Sequence, residues 1–313
     1  MPRLADVVAV TERLWPLSGA EAWDAPGFLA GDPAAEVTRI HLAVDPTLAV
    51  VDETLELGAE LLIAHHPLLL RGVTSVAEDR AKGAVIGRLL RGGSALLAAH
   101  TNADVVAAGT SAVLADRLGL VDARPLSPLA DAPDLGLGRV GRLAAPTTLG
   151  RLARAVAAVL PATAGGVRVA GDWEQPIATV AVCAGAGDSL LAHPDVVAAD
   201  AYVTSDLRHH PASEAREAAL LAAENRSAQS RDGRTRDAPA RADEARGDLY
   251  ATPALVDTSH WASEWLWLDA AAAQLREALP EVTVTVSELR TDPWDFAVAQ
   301  LGDRPTDAPE GET

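Results

Sequence analysis

The sequence lacks what a disulfide scaffold, a thiolate metal cluster or a nucleic-acid-binding surface would need. Cys183 is the only cysteine among 313 residues, so neither an intramolecular disulfide nor a set of thiolate ligands can form. Lysine occurs once, at Lys82, and the formal net charge is −18. Nucleic-acid binding depends on basic side chains that displace counterions from phosphates, so this charge disfavours DNA or RNA as a main partner.

Long apolar runs are also missing. No stretch reaches the roughly 20 apolar residues that a membrane-spanning helix needs, and the N-terminal "MPRLADVVAVTERLW" has the pattern of an amphipathic helix rather than a signal peptide. We therefore expect a cytoplasmic protein with no membrane partner. Aromatic residues make up 4% of the chain and hydrophobic residues 49%, which predicts a core built mainly from Ala, Val and Leu.

The periodicity that is present alternates between strands and helices, as in an α/β fold with parallel pairing. The predicted strands are residues 37–45, 59–67, 94–100, 167–172 and 178–188, and the predicted helices include residues 4–14, 47–58, 80–91, 104–118 and 149–161. Two Gly/Pro-rich stretches, residues 21–33 and 121–147, are predicted to be loops.

An internal repeat follows from two similar stretches, "AELLIAHHPLLL" and "ADAYVTSDLRHHPASEA". Each is a strand followed by His-His-Pro, then a helix, then a strand that ends near another histidine. We predict two intertwined, internally duplicated α/β lobes with mixed sheets. The predicted boundaries are residues 1–124 for the first lobe, 125–177 for a middle interface segment, 178–301 for the second lobe, and 302–313 for a flexible tail. Within the second lobe, residues 225–248 are charged and poor in large apolar side chains, which predicts a disordered insertion.

Candidate metal ligands occur where predicted strands end. His65 and His66 follow the apolar run "ELLIA", and "HTNAD" places His100 and Asp104 after the next strand. In α/β folds, ligands bind at the carboxyl ends of the strands. Two structural histidines remain an alternative for the first pair. Asp104 could instead be an ordinary acidic residue in the first turn of a helix.

A third group lies in "SHWASE", where His260 and Glu264 are four residues apart and share one face of a helix. The alternative is an ordinary surface pair, which the Trp-rich surroundings disfavour. Together with His65, His66 and Asp104, this pair supplies three imidazoles and two carboxylates. That set matches two adjacent divalent ions bridged by carboxylates, with zinc, manganese or iron as candidates. We expect such a metal site to lie between the two lobes.

The ordered motifs "WDAPGFLAGDP", "AHHPLLLRG", "AAHTNAD", "VAVCAGAGDSLL", "ADAYVTSDLRHH", "LVDTSHWASE" and "TDPWDF" resemble those of the GTP cyclohydrolase 1 type 2 homologues, a NIF-three-like family. The resemblance spans about residues 4–300 outside the insertion. It implies a dinuclear metal centre on the inner cavity of a toroidal homohexamer. The implied metal ligands are His65, His66, Asp104, His260 and Glu264. His100 is implied to support the ligands or carry protons, and His210 to lie at the cavity. The family pattern has glycine where this sequence has Ser205 and Ser259.

The resemblance also implies an activity, the hydrolytic opening of the guanine ring of GTP with release of formate. A metal-dependent phosphoester hydrolase and a non-catalytic metal-binding assembly protein or chaperone are the alternatives. A small-molecule nucleotide is accordingly a possible partner. The Gly-rich "CAGAGD" at 183–188 is predicted to be a tight turn rather than a phosphate-binding loop, because it lacks a full phosphate-binding pattern. His41 and His193 are predicted to be structural or surface residues, and Cys183 a buried apolar side chain.

Overall fold

The computed structural model describes residues 1–232 and 250–298, which form two main sheets and nine α-helices. The helices are α1 (Leu4–Leu14), α2 (Leu48–Glu56), α3 (Ala81–Arg91), α4 (Thr101–Asp104), α5 (Thr110–Arg117), α6 (Leu149–Val159), α7 (Pro194–Ala198), α8 (His209–Asp232) and α9 (His260–Ala278). The first seven strands are β1 (Gly27–Ala30), β2 (Arg39–Ala43), β3 (Leu61–Ala64), β4 (Ala95–Ala98), β5 (Leu120–Arg124), β6 (Ser127–Leu129) and β7 (Ala132–Leu137). The other six are β8 (Arg139–Thr148), β9 (Arg168–Ala170), β10 (Pro176–Ala186), β11 (Ala201–Ser205), β12 (Ala254–Thr258) and β13 (Thr283–Val286).

The five-stranded sheet has the order β1-β4-β3-β2-β13, and all neighbours except β1 and β4 are parallel. The six-stranded sheet has the order β5-β8-β10-β11-β12-β9, with β10, β11 and β12 parallel. The strands β6 and β7 form a separate hairpin. Mixed sheets in a mixed α/β fold are what the sequence predicts.

The duplication is visible in the order of the elements. The first unit runs α1, β1, β2, α2, β3, α3, β4, and the second runs α6, β9, β10, α7, β11, α8, β12. In each unit the first strand lies antiparallel beside the last one, and the other three strands are parallel. The two His-His-Pro triplets therefore follow equivalent strands, β3 and β11.

Helix α9 packs between the two sheets. Trp261, Trp267 and Leu268 belong to the core cluster that includes β2, β3 and β4, whereas Leu266 packs with β10, β11 and β12. The Ser259 hydroxyl caps the helix by accepting a hydrogen bond from the backbone amide of Ala262 at 3.2 Å. The orientation of this helix is therefore fixed by both cores.

The closing strand β13 lies beside β2 in the first sheet, although it falls within the predicted second lobe, residues 178–301. Strand β8, within the predicted middle segment, lies between β5 and β10 of the second sheet. The chain thus crosses between the lobes, as the prediction of intertwined lobes requires. The numerical boundaries themselves stay predictions, and the predicted tail, residues 302–313, lies outside the described residues.

Several local predictions are wrong. Residues 121–147 are not a loop but strands β5 to β8, and part of residues 21–33 forms β1. Glycines at positive φ lie in β7, at Gly136, and between β7 and β8, at Gly138, and this turn-like composition hides the strands in the sequence. The predicted helix over residues 104–118 is not continuous, because α4 ends at Asp104 and α5 begins only at Thr110. The turn between them brings Gly109 against the carbonyl oxygen of Asp104. Residues 225–232 of the predicted insertion continue α8, and residues 233–248 lie outside the described residues.

Arg139 is a buried guanidinium on β8 that joins the middle segment to the loop after Asp104. It donates to the carbonyl oxygens of Gly136 and Gly138, both at 2.7 Å, and to that of Val106 at 3.1 Å. Burial lowers the pKa of Arg139, which has no carboxylate partner among the described residues. The guanidinium therefore acts as a donor to otherwise unpaired carbonyl groups.

We predict that Arg139→Met lowers the free energy of unfolding by about 2–4 kcal/mol, because three buried carbonyl oxygens lose their donor. Arg142→Met is the matched control, since Arg142 lies on the same strand, is exposed, and pairs with the exposed Asp122. The control should change stability by less than about 0.5 kcal/mol. Urea unfolding measures both, and equal losses would contradict the role of Arg139.

Candidate metal centre

Two adjacent parallel strands and the start of α9 bring the candidate ligands together. His65 and His66 follow β3, and their amides still pair with the carbonyls of Ala43 and Val44, at 3.0 and 2.9 Å. His100 follows the neighbouring strand β4. The carboxyl ends of parallel strands meet at one edge of a sheet, so these imidazoles converge.

Helix α9 supplies the other candidate ligands, from the second half of the chain. His260 is its first residue and Glu264 lies one turn later, with Oε1 3.0 Å from His260 Nε2. Glu264 Oε2 lies 2.9 Å from His66 Nε2, and Oε1 lies 3.5 Å from His65 Nε2. His66 Nε2 and His260 Nε2 are 3.2 Å apart. The predicted ligands from both halves thus share one pocket.

Two groups in the described residues have the composition and spacing of a metal site. One consists of His65, His66 and His100, and the other of His66, His260 and Glu264. Within each group the donor atoms lie within 4.8 Å of one another. These histidine and glutamate groups could therefore hold metal ions.

Asp104 lies at the margin of these groups. Its Oδ1 is 3.7 Å from His65 Nε2 and accepts a hydrogen bond from the hydroxyl of Thr110 at 2.5 Å. Burial raises the pKa of Asp104, and the nearby charge of His65 opposes that rise. Asp104 is the last residue of the four-residue helix α4 and lies in its first turn, so the alternative of an acidic first-turn residue also describes it.

Each histidine has its Nδ1 atom held by an acceptor, which leaves Nε2 available. His65 Nδ1 lies 2.7 Å from the carbonyl oxygen of Ala99, and His66 Nδ1 lies 2.7 Å from Asp45. His260 Nδ1 lies 2.7 Å from Asp206. Metal-binding histidines in proteins are oriented in this way by carboxylates or backbone carbonyls.

The orienting carboxylates Asp45 and Asp206 were not predicted from the sequence. Each directly follows a strand region, in "LAVD" and "VTSD", and that position is the signal that could have identified it. Asp24 orients His100 in the same way, because its Oδ1 lies 2.8 Å from His100 Nδ1. Asp24 lies in a Gly/Pro-punctuated stretch, however, and this position gives no such signal. Although burial opposes it, hydrogen bonds from His100 and Thr101 lower the pKa of Asp24 to about 2.

Two buried polar atoms in the pocket have no hydrogen-bond partner among the described residues. They are His65 Nε2 and Glu264 Oε2. The second is only 2.9 Å from His66 Nε2 but does not have hydrogen-bonding geometry. Leaving a buried polar atom unpaired costs about 1–3 kcal/mol. A cation between these atoms would satisfy both, so the residues present fit a metal ion.

The electrostatics of the pocket centre on Glu264. Although burial opposes it, the charges of His260 and His66 hold the pKa of Glu264 well below its usual range. Burial alone would lower the pKa values of the histidines. The charge of Glu264 and the orienting carboxylates instead raise the pKa of His66 to about 10 and that of His260 to about 11. The pocket is therefore arranged to place positive charge around one carboxylate.

Gly185, in the stretch "CAGAGD" at 183–188, packs directly against this carboxylate. The predicted tight turn is wrong for residues 183–186, which form the end of strand β10. The φ of Gly185 is +72°, and a Cβ there would lie 2.2 Å from Glu264 Oε1 and 3.3 Å from His260 Nε2. The Gly185 amide donates to the Ser263 hydroxyl at 2.9 Å, which joins the end of β10 to α9. The end of β10 thus leaves room at the candidate ligands, a role that the sequence pattern did not indicate.

The other histidines lie away from the pocket. His209 and His210, the second His-His-Pro copy, are exposed at the start of α8, and neither lines the cavity beside the candidate ligands. His41 is buried between Glu53 and Thr285, each at 2.9 Å. His193 caps α7. The prediction of structural or surface roles is confirmed for His41 and His193.

A cavity of about 730 Å³ opens beside His66 and His260. Its other walls come from residues 164–168, from residues 257–259 and from the segment 291–297. Ser259, one of the two serines that replace the family's glycine, lies in this wall. Its hydroxyl also donates to Asp292 at 2.6 Å.

Comparison with known proteins places this chain in a described family. The model of the Duf34/NIF3 (NGG1p interacting factor 3) family matches residues 2–225. A "GTP cyclohydrolase 1 type 2 homolog" of Streptomyces coelicolor is 44% identical over 305 residues, covering 96% of both chains. A protein of the same description from Mycobacterium tuberculosis is 31% identical, covering 94% of this chain and 97% of its own.

Solved structures agree on the fold. A Bacillus cereus protein related to NIF3 has a TM-score of 0.77 at 22% identity, covering 95% of this chain and 99% of its own. A Staphylococcus aureus hypothetical protein has a TM-score of 0.77 at 25% identity, covering 94% and 99%. The protein is thus a duplicated, mixed α/β protein with a candidate metal site between its halves. The chain belongs to the Duf34/NIF3 family.

No helix within residues 1–232 and 250–298 combines the length and the apolar character that crossing a bilayer requires.

We predict that Gly185→Ala lowers metal affinity roughly 10- to 100-fold, because its methyl group displaces the Glu264 carboxylate. Gly58→Ala is the matched control, since Gly58 has a similar φ of +64° but open space around its Cβ position. Both variants should lose about 1–2 kcal/mol of stability from the left-handed backbone. Metal titration and thermal unfolding separate the two effects, and equal metal affinities would contradict the packing argument.

Proposed function

We propose that the protein is a metal-dependent hydrolase that holds two divalent ions per chain, with zinc, manganese or iron as the candidate metals. The observation that carries this proposal is the inward orientation of three Nε2 atoms around the buried Glu264, each imidazole being held from behind through Nδ1. The proposed ligands are His65, His66, Asp104, His260 and Glu264. Glu264 lies within 3.5 Å of the Nε2 atoms of His65, His66 and His260, so its carboxylate would hold the ions together with these imidazoles.

When bound, the two ions would lower the pKa of a water molecule toward neutrality and polarise the bond under attack. His100 borders His65 and His66, with ring centroids 5.2 and 5.5 Å away, and Asp24 holds its Nδ1. We assign to His100 the task of accepting or delivering a proton at Nε2.

The proposed reaction is hydrolytic opening of a guanine-type ring with release of formate, and the relatives' description as "GTP cyclohydrolase 1 type 2 homolog" supports it. Phosphoester hydrolysis is the alternative chemistry for the same site. The wide cavity beside His66 and His260 supports a catalytic role over a non-catalytic metal-binding assembly protein, because a purely structural site needs no such access.

Self-association into a homohexamer is part of the same proposal. It is supported by large apolar side chains left exposed on α8, among them Leu220 at 45% and Leu221 at 60%. Light scattering on the purified protein tests it directly. A monomeric mass at micromolar concentration would contradict it.

We predict that Glu264→Gln loses most bound metal while the fold survives, because the neutral amide removes the charge that the imidazoles surround. Glu53→Gln is the matched control, since Glu53 also lies 2.9 Å from a histidine, His41, but away from the pocket. Elemental analysis of both proteins gives the stoichiometry. Two ions per chain remaining in Glu264→Gln would overturn the proposed site.

We predict that the metal-loaded protein releases formate from a guanine-containing substrate and that His100→Gln slows turnover by about 10²–10⁴-fold with metal content retained. Assays that detect formate and inorganic phosphate in parallel distinguish ring opening from phosphoester hydrolysis. If neither product forms from GTP or guanosine, the proposed hydrolysis of guanine compounds is wrong.

A further inference from the structure

Residues 288–298 follow strand β13 and supply one wall of the cavity beside the candidate metal ligands. They form no helix or strand, and their backbone groups make no hydrogen bond to the backbone of another described residue. Trp294, Phe296 and Val298 are 68%, 80% and 79% exposed, so apolar packing holds this segment only weakly. Its attachment therefore depends on side-chain hydrogen bonds, as in other regions of low local stability.

Two hydrogen bonds, which we call the clasp, tie this segment to the groups that hold the candidate ligands. The Thr291 hydroxyl donates to Asp45 Oδ2 at 2.5 Å. The Ser259 hydroxyl donates to Asp292 Oδ1 at 2.6 Å. No other hydrogen bond between described residues joins the segment to a distant part of the chain.

The sequence around the clasp explains how two adjacent residues reach different partners. Pro293 favours an extended backbone at the preceding Asp292. Neighbouring side chains of an extended segment point to opposite sides, so Thr291 and Asp292 can meet Asp45 and Ser259 separately. The family pattern has glycine in place of Ser259, and glycine has no side-chain donor. This half of the clasp therefore depends on the serine of this chain.

The first half of the clasp fixes the orientation of His66. The Asp45 carboxylate has one oxygen bonded to Thr291, and its other oxygen lies 2.7 Å from His66 Nδ1. The carboxylate cannot rotate without breaking one of these contacts. Metal affinity depends on such partners behind the ligands, because they hold the imidazole in its binding orientation.

The second half of the clasp fixes the start of α9. Ser259 is the N-cap of that helix and directly precedes His260, so its bond to Asp292 attaches the segment beside the second imidazole. Because Thr291 and Asp292 are adjacent, the two halves together relate the position of His66 to that of His260. The Nε2 atoms of these two histidines are 3.2 Å apart.

We propose that Thr291 and Asp292 are positioning residues for the metal centre. The clasp holds His66 and His260 in place for metal ions, and bound metal in return holds residues 288–298 against the cavity. The proposal rests on the proposed function, because it takes the ions to bind at these imidazoles. Such coupling is reciprocal: the factor by which the clasp strengthens metal binding is also the factor by which metal strengthens the clasp. The wall of the substrate cavity is then complete only in the metal-loaded protein.

The first measurement is the affinity for Zn²⁺, obtained by competition with a chromophoric chelator. Thr291→Val removes the hydroxyl at nearly constant size and should weaken Zn²⁺ binding about tenfold, at the lower end of the loss expected for a partner behind a ligand. Thr291→Ser keeps the hydroxyl and should retain the wild-type affinity. Thr285→Val is the matched control, because the Thr285 hydroxyl also lies 2.9 Å from a histidine, His41, but outside the pocket.

The second measurement is the rate at which trypsin cleaves after Arg290, an exposed residue within the segment. Cleavage requires the segment to detach, so its rate follows the population of the detached form. Zinc-loaded wild-type protein, dialysed free of excess zinc, should be cleaved about tenfold more slowly than metal-free protein, the same factor as the loss of affinity. Zinc should give this protection in Thr285→Val but not in Thr291→Val.

A double-mutant cycle tests the second half of the clasp. Ser259→Gly and Asp292→Ala should each weaken Zn²⁺ binding by a similar factor. The double variant should lose no more than either single variant, because both remove the same hydrogen bond. Losses that simply multiply in the double variant would contradict a role for this bond.

Wild-type affinity for Zn²⁺ in Thr291→Val would overturn the proposal, as would equal cleavage rates of zinc-loaded and metal-free wild-type protein. Equal losses of affinity in Thr291→Val and Thr285→Val would also overturn it, because they would show a general loss of stability. Elemental analysis of the wild-type protein separates this proposal from the proposed function. Absence of bound ions would refute the metal-dependent hydrolase and the clasp together, whereas bound ions whose affinity is independent of Thr291 would refute the clasp alone.

Discussion

Glu264 is a carboxylate held almost entirely out of water, on the helix that packs between the two sheets. Burying a charge without partners is very costly, so the imidazoles of His65, His66 and His260 have to surround it. Those imidazoles are fixed in turn by Asp45, Asp206 and a backbone carbonyl. Because Leu266 and Trp267 anchor the same helix in the two cores, the carboxylate cannot move away from its partners. The pocket is therefore as rigid as the packing of α9.

The ends of strand β3 and the start of α9 could be read from the sequence, because an apolar run followed by His-His-Pro and a helical His-x-x-x-Glu spacing are local signals. The parallel strands β3 and β4 then bring His65, His66 and His100 to one edge. The sequence does not show which other residues surround these candidate ligands. Asp24 approaches the site from a loop, and Gly185 approaches it from the end of strand β10. The glycine content of both stretches, with proline beside Asp24, predicts only turns, and residues 121–147 hide four strands for the same reason.

The two His-His-Pro triplets show why equivalent positions in a duplicated fold do not carry equivalent chemistry. His65 follows β3 into a pocket covered by α9, and it is fully buried. His209 and His210 begin α8 directly after β11, and that helix carries them to the surface. Among residues 1–232 and 250–298, only the first copy contacts an acidic residue from the other half of the chain, which a single unit could not supply.

Strand β13 completes the first sheet with residues from near the end of the described chain. Its partner β2 lies more than 240 residues earlier, and α9 immediately precedes it. Contacts of such long sequence separation form late, because the intervening loop must first be closed. On a ribosome, the first sheet cannot gain its edge strand, and His65 and His66 cannot contact Glu264, until α9 and β13 have emerged. A chain that ends before α9 therefore lacks part of the ligand set.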